Sequence, residues 1–282
     1  MRTIAHISDL HFGTQDPAVA AALLAELDGT TRPKPSLIAV SGDLTQRARE
    51  EEYRAARAWL ARLPVPAVVV PGNHDVPLYD VASRLLRPMA RWRDAMGDEL
   101  MPCVADEEIA VVGINTAHGL TVKGGRITHA TARAARDRLA SLRASWKVLV
   151  AHHPFALPAG GDRADVARGA DEALPILEDV GLDLILTGHL HIAYTSDPIA
   201  FRSSDHAIVA AHAGTCMSRR LRGEPNGYNV ITLVGDQLTI TNRVWDGERF
   251  ADGRERTYLR GAGGVKIKQH ERNEESGWAA AR

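Results

Sequence analysis

With 282 residues, 45% of them hydrophobic and 24% charged, the chain has enough apolar material for a sizeable core and lacks the composition of a disordered protein. Its 34 Lys and Arg against 35 Asp and Glu leave a formal net charge of −1, without the basic excess that a nucleic-acid polymer or an acidic membrane calls for. Two cysteines, Cys103 and Cys216, are too few for a disulfide framework and show no C-x-x-C spacing, so both are expected to be reduced, in a cytoplasmic protein.

In chain order, residues 3–8 form a β-rich run with no apolar leader and cleavage site before it, so no signal peptide is expected. Asp16-Pro17 is an N-cap followed by proline at the first helical position, which predicts a helix over 18–27. A short apolar run at 36–41, a helical pattern over 50–63 and a third strand at 66–70 complete a strand–helix–strand–helix–strand series. That alternation is the pattern of βαβ units and a largely parallel sheet. A helix interrupted at Pro88 is expected over 77–96, a strand at 109–115, a helix at 130–145, a strand at 147–151, a loop at 157–169, a helix at 171–180 and a strand at 183–187. Strands at 207–211, 228–234 and 237–245 then follow without helices, with Gly235-Asp236 as a hairpin turn, which predicts a second, mixed or antiparallel C-terminal sheet. Residues 1–260 read as the folded domain, and the polar, Gly-rich stretch 261–282 as a flexible tail.

Five polar clusters each follow directly on one of these apolar runs: Asp9-x-His11, Gly42-Asp43, Gly72-Asn73-His74-Asp75, His152-His153 and Gly188-His189-Leu190-His191. In open α/β sheets functional groups gather beyond the carboxyl ends of the strands, so residues spread over two-thirds of the chain are expected to meet. Imidazole, carboxylate and amide oxygen form a donor set for Zn, Mn or Fe rather than an all-oxygen Ca or Mg cage.

In this order the five clusters resemble the calcineurin-like metallophosphoesterase superfamily over residues 4–191. The runs Ile7-Ser8-Asp9-Leu10-His11, Ser41-Gly42-Asp43-Leu44 and Gly72-Asn73-His74-Asp75 are most similar to its bacterial class III cyclic-nucleotide phosphodiesterase branch. The resemblance implies an α/β fold, a four-layer αββα sandwich with one mainly parallel sheet and a second mixed or antiparallel one. It implies a first metal held by Asp9, His11, Asp43 and His191, and a second held by Asp43, Asn73, His152 and His189, with Asp43 bridging. The family's ligand histidine lies two places before the proline of a His-x-Pro motif, which selects His152 over His153. His74 is placed near the leaving group as the catalytic residue. The implied cofactors are two Mn²⁺, Fe²⁺/Fe³⁺ or Zn²⁺ ions, and the implied chemistry is in-line attack on a phosphate ester by a metal-bridging hydroxide.

The substrate this implies is a small phosphodiester such as a cyclic nucleotide, with no nucleic-acid polymer as partner. Two rivals are a pyrophosphohydrolase of a nucleotide-linked lipid precursor, which brings in membrane association, and a non-catalytic binding module of the same fold. Asp75 reads as a helix cap or a support for the ligands, and His153 and His212 as ordinary buried or ligand-orienting histidines. Arg84, Arg87 and Arg91 read as the solvated face of an amphipathic helix whose other face carries Leu85, Met89, Trp92 and Met96. Arg219, Arg220 and Arg222 fall in a loop from which any of them can meet a substrate phosphate.

Overall fold

A computed structural model describes residues 1–157, 161–196, 207–261 and 264–272. Its element order begins β1 (Arg2–Ile7), α1 (Pro17–Asp28), β2 (Leu37–Val40), α2 (Glu50–Leu60), β3 (Ala67–Val69), α3 (Val81–Leu86), α4 (Ala90–Met96) and β4 (Cys103–Ala105). It continues with β5 (Ile109–Gly113), α5 (His129–Ala140), β6 (Trp146–Val150), α6 (Ala170–Glu178), β7 (Leu184–Thr187), β8 (Tyr194–Thr195) and β9 (Val209–His212). The chain closes with β10 (Gly227–Val234), β11 (Gln237–Trp245), β12 (Phe250–Gly261) and β13 (Gly264–Arg272). Local chemistry sets the boundaries. The Asp16 carboxylate accepts from the Ala18 amide at 2.9 Å to start α1, and Gly29, at φ 94°, ends it.

The strands form two mixed sheets, ordered β13-β12-β11-β10-β1-β2-β3 and β4-β5-β6-β7-β9-β8. Period-two alternation sends their side chains to different cores. Ile4, Leu37, Ala39, Val111, Val148, Val150, Leu184 and Leu186 point into the space between the sheets. Their neighbours Ile7, Ile38 and Val40 pack outward against α1, α2 and α4, and Val112, Leu149 and Ile185 pack against α5 and α6. Burial on both faces explains the unbroken apolar runs, and the result is the four-layer α/β sandwich.

The division between the sheets differs from the expected one. β10 pairs antiparallel with β1 through Ile4↔Ile231, so the C-terminal strands extend the N-terminal sheet, while β5, β6, β7 and β9 make the parallel heart of the other. The stretch expected to be a flexible tail from Gly261 includes β13, hydrogen-bonded along β12 through Leu259↔Lys266 and Tyr258↔Ile267. The alternation Val265-Lys266-Ile267-Lys268 is a strand pattern that the polar composition obscured. Residues 273–282 lie outside the described residues.

The arginine face is also corrected. Arg84 is buried and donates to the Pro77 and Thr121 carbonyls, while Leu85 is 56% exposed. Arg91 donates to the Ala48 carbonyl and pairs with Asp80. Pro88 splits the segment into α3 and α4, as expected, and breaks the helical register on which the single amphipathic face depended. No helix among the described residues is long and apolar enough to cross a membrane.

Candidate metal centre

Each predicted cluster sits where its strand ends. β1 delivers Asp9 and His11, β2 delivers Asp43, β3 leads into a 3₁₀ turn at Asn73–Asp75, β6 delivers His152, and β7 delivers His189 and His191. The first three strands belong to one sheet and the last two to the other, so the site bridges the carboxyl ends of both. Asp9, His11, Asp43, His189 and His191 have φ between 47° and 72°, and only one other non-glycine residue among those described is positive. Each such residue costs about 1–3 kcal/mol, and the surrounding packing must hold it there. The strain aims successive side chains of one loop at one point.

Close approach is the second requirement. A Cβ at Gly188 would run into Ser8 Oγ and Asp9 Oδ2, and one at Gly72 into the Asp43 carboxylate. Both glycines let main chain pass directly against ligand carboxylates.

Asp9, His11, Asp43 and His191 converge, with one donor atom from each within 4.8 Å of the others, and all are buried. His191 Nδ1–H donates to the Arg220 carbonyl at 2.9 Å, and His11 Nδ1 faces the Thr45 carbonyl at 3.4 Å. Each imidazole therefore spends its proton on backbone and turns a lone pair inward. The two Nε2 atoms lie 3.1 Å apart, and Asp9 Oδ1, buried with no hydrogen-bond partner, is 3.1 Å from His191 Nε2 and 3.6 Å from His11 Nε2. Acceptors directed at one another in a buried space need a positive charge among them, a metal ion or a proton held by His191.

The second group has the same logic. His152 Nδ1–H donates to the Ser41 carbonyl at 2.7 Å, leaving Nε2 to face Asn73 Oδ1 at 3.1 Å and Asp43 Oδ1 at 3.4 Å. Asn73 Nδ2 donates to the Val122 carbonyl, which fixes its oxygen toward the histidines, and His189 Nδ1 lies 3.0 Å from that oxygen. Asp43 touches both groups, since its Oδ2 is 3.8 Å from His11 Nε2. His153 is close by, but its Nε2–H donates to the Lys123 carbonyl and its Nδ1 accepts from the Thr116 hydroxyl, so it has no free nitrogen to offer. The donor set thus fits two metal ions.

Charge follows geometry. Burial would raise the Asp9 carboxyl, yet His191, His11 and His152 hold it well below the usual range, and His152, His74 and His11 do the same for Asp43. Asp75 is pushed up to about 7 by burial and by Asp43. Its oxygens accept from the amides of Leu44, Thr45 and Gly72, tying the β2 and β3 loops together. That is the supporting role expected of it.

His74 donates its amide to Asp43 Oδ1 at 2.8 Å and its Nδ1–H to the Gln46 carbonyl at 2.8 Å, while its Nε2 accepts from Arg220 at 3.1 Å. Arg47, Lys123, Arg220 and Arg222 share the cleft with Asp43, Asn73, His74, His189 and His191. Arg47 and Lys123 were not read as site residues. They come from loops between elements, where no strand register marks them. Asp165, 3.5 Å from His189 Nε2, was missed for the same reason.

Beneath the site His6 donates to or accepts from Ser41 Oγ at 2.9 Å, and His212 Nδ1 meets Thr187 Oγ1 at 2.7 Å. Burial pulls His6 down to about 3 and His212 to about 4, so both are neutral in the fold. In the unfolded chain they protonate near 6.5. Their contribution to stability is therefore complete above that value and is lost as pH falls from 6.5 toward 4 and 3. At pH 5 each is expected to cost about 2 kcal/mol. Urea midpoints of metal-free protein at pH 7.5 and pH 5 check this: His6→Gln should soften the acid loss, and an unchanged loss would contradict the assignment.

A sequence profile described as Calcineurin-like phosphoesterase matches residues 2–193. Glycerophosphodiester phosphodiesterase GpdQ of Enterobacter lignolyticus is 29% identical over 202 residues, covering 67% of this chain and 70% of its own. A Synechococcus protein named "Probable cyclic nucleotide phosphodiesterase" is 26% identical over 210 residues, covering 68% and 74%. Among solved structures, PhoD superposes with a TM-score of 0.67 at 14% identity, over 94% of this chain and 71% of that one. A dimetal phosphatase from Danio rerio gives 0.60 at 13% identity, over 86% and 96%. At these identities the two structures speak for the fold.

Proposed function

Because the chain belongs to the calcineurin-like phosphoesterase family and is a metal-dependent phosphoester hydrolase, we propose that it is a phosphodiesterase acting on a cyclic nucleotide or a similar small phosphodiester. In this reading Asp9, His11, Asp43 and His191 hold one metal ion, and Asp43, Asn73, His152 and His189 the other. The observation that carries it is the pair of Nε2 lone pairs 3.1 Å apart beside the unpartnered Asp9 oxygen. Mn²⁺, Fe²⁺/Fe³⁺ or Zn²⁺ suits this mixture of imidazole, carboxylate and amide oxygen. When bound, the ions make water acidic near neutral pH and offset the charge gathering on the phosphoryl oxygens.

The chain's own residues supply the remainder. Backbone carbonyls hold the His11, His152 and His191 imidazoles in one tautomer and orientation, while His189 is set between Asn73 and Asp165. His74 stands at the cleft, held by Gln46, with Nε2 as the atom that passes a proton to the departing alkoxide. At rest that nitrogen accepts from Arg220, so Arg220 must turn to the substrate and Nε2 must take up a proton from solvent before His74 can give one to the alkoxide. Free cysteines Cys103 and Cys216 support a reducing, cytoplasmic setting.

Chelation is expected to abolish hydrolysis of bis(p-nitrophenyl) phosphate, and Mn²⁺ to restore it. His74→Ala should lower kcat by about 10²–10⁴-fold with metal content retained, whereas Asn73→Ala should lose metal. Equal metal loss in the two variants, measured by elemental analysis, would show that this division of roles is wrong.

One observation favours the pyrophosphohydrolase of a nucleotide-linked lipid as a second reading. Tyr79, Leu86, Leu120 and Val122 are 72%, 81%, 72% and 55% exposed. They sit on α3 and on loops joined to the cleft through Arg84–Thr121, Arg47–Tyr79 and Asn73–Val122 contacts. An apolar collar of this kind suits a lipid arm. Hydrolysis of a lipid-linked nucleotide pyrophosphate in preference to cyclic nucleotides would decide for it.

A further inference from the structure

We propose that Arg47, Lys123, Arg220 and Arg222 form a subsite for a second anionic group of the substrate, distinct from the phosphoryl group held at the metal centre. The inference rests on the phosphodiesterase reading and narrows its substrate to diesters that carry an additional phosphate or comparable anion.

Charge counting motivates it. Two divalent ions against the Asp9 and Asp43 carboxylates leave two positive charges, which one attacking hydroxide and one phosphodiester cancel. The centre therefore needs no further cations for a singly charged diester, yet four more share the cleft. Among the described residues none of the four makes a salt bridge to a carboxylate, and their charges are mutually exposed. Burial lowers the Arg220 guanidinium and Asp43 opposes that, while Arg222 and Arg47 lower it further by crowding. Arg47 and Arg220 are half-buried while Lys123 and Arg222 are exposed, and like charges gathered at one cleft repel until an anion joins them.

The present partners of these cations are ones an anion can displace. Arg220 Nη1 donates to His74 Nε2 at 3.1 Å and to Gln46 Oε1 at 3.3 Å, and Arg47 lies over the Tyr79 ring at 5.4 Å. Charge-assisted bonds to a phosphate are stronger than either. The subsite is also held in place. The Arg220 carbonyl accepts from His191 Nδ1–H, and the Lys123 carbonyl accepts from His153 Nε2–H, so one loop is tied to a histidine of the centre and the other to the histidine beside ligand His152.

The test compares thymidine 5′-(p-nitrophenyl phosphate) with its 3′-phosphorylated analogue, using Mn²⁺-loaded protein. The analogue should have kcat/KM about 10- to 100-fold higher, mainly through KM. The ratio should fall toward unity in Arg222→Gln and Arg47→Gln, with Arg222→Lys keeping part of it. As a readout independent of turnover, metal-free protein should bind inorganic pyrophosphate by calorimetry, about tenfold more weakly in each Gln variant. Equal kcat/KM for the two diesters, or pyrophosphate binding indifferent to Arg222 and Arg47, overturns the subsite. If neither diester is hydrolysed, the phosphodiesterase reading fails, and the calorimetry still decides whether the anion subsite exists.

Discussion

Asp43→Asn is expected to lower kcat for a phosphodiester by about a thousandfold or more and to take metal out of both positions. Its Oδ1 faces His152 Nε2 and accepts the His74 amide, and its Oδ2 faces His11, so one carboxylate joins the two groups of ligands. The substitution removes a negative charge from a buried site that must neutralise two cations, and several kcal/mol of charge stabilisation go with it. The fold itself should survive, because the amide is isosteric and Asp75 still ties the neighbouring loops. Titrating Mn²⁺ into the variant by calorimetry checks the claim. Loss of one ion with the other bound at full affinity would mean that Asp43 does not bridge.

Gly188→Ala should be strongly damaging although the residue lies outside the ligand set. The added methyl meets Ser8 Oγ and Asp9 Oδ2, atoms that already bond to each other at 2.7 Å and, through Asp9, to the His189 amide at 3.0 Å. Relief requires moving β1 away from β7 or turning Asp9 off its aim. Overpacking alone costs about 1–3 kcal/mol, and the broken buried hydrogen bonds add about 1–3 kcal/mol more. The urea midpoint should fall accordingly, with metal affinity falling alongside it. Gly261→Ala, where a Cβ meets nothing within 4 Å, serves as the control and should lie within about 0.5 kcal/mol of the parent. A Gly188→Ala protein as stable as the control would show that the two sheets can part at this point without cost.

Most of the residues that converge were legible because they follow strands that are buried on both faces. Ile4 to Ile7, Leu37 to Val40 and Leu184 to Thr187 read as apolar runs, and the polar residue after each run has to lie at a sheet edge. Pairing between distant strands was not legible. Nothing in residues 227–234 says that they lie beside β1 rather than in a sheet of their own, since register is a long-range choice. The burial of Arg84 was hidden for a different reason: its partners are the Pro77 and Thr121 carbonyls, which have no sequence signature. The cationic wall was seen only in part. Arg220 and Arg222 stood out as a charge run, but Arg47 and Lys123 reach the cleft from separate loops.

Crystals of the Mn²⁺-loaded protein, with anomalous scattering measured at the Mn edge, test the central claim most directly. Two peaks should appear, one enclosed by Asp9, His11, Asp43 and His191 and one by Asp43, Asn73, His152 and His189. A single peak, or peaks that leave the facing His11 and His191 nitrogens without a metal, would contradict the account.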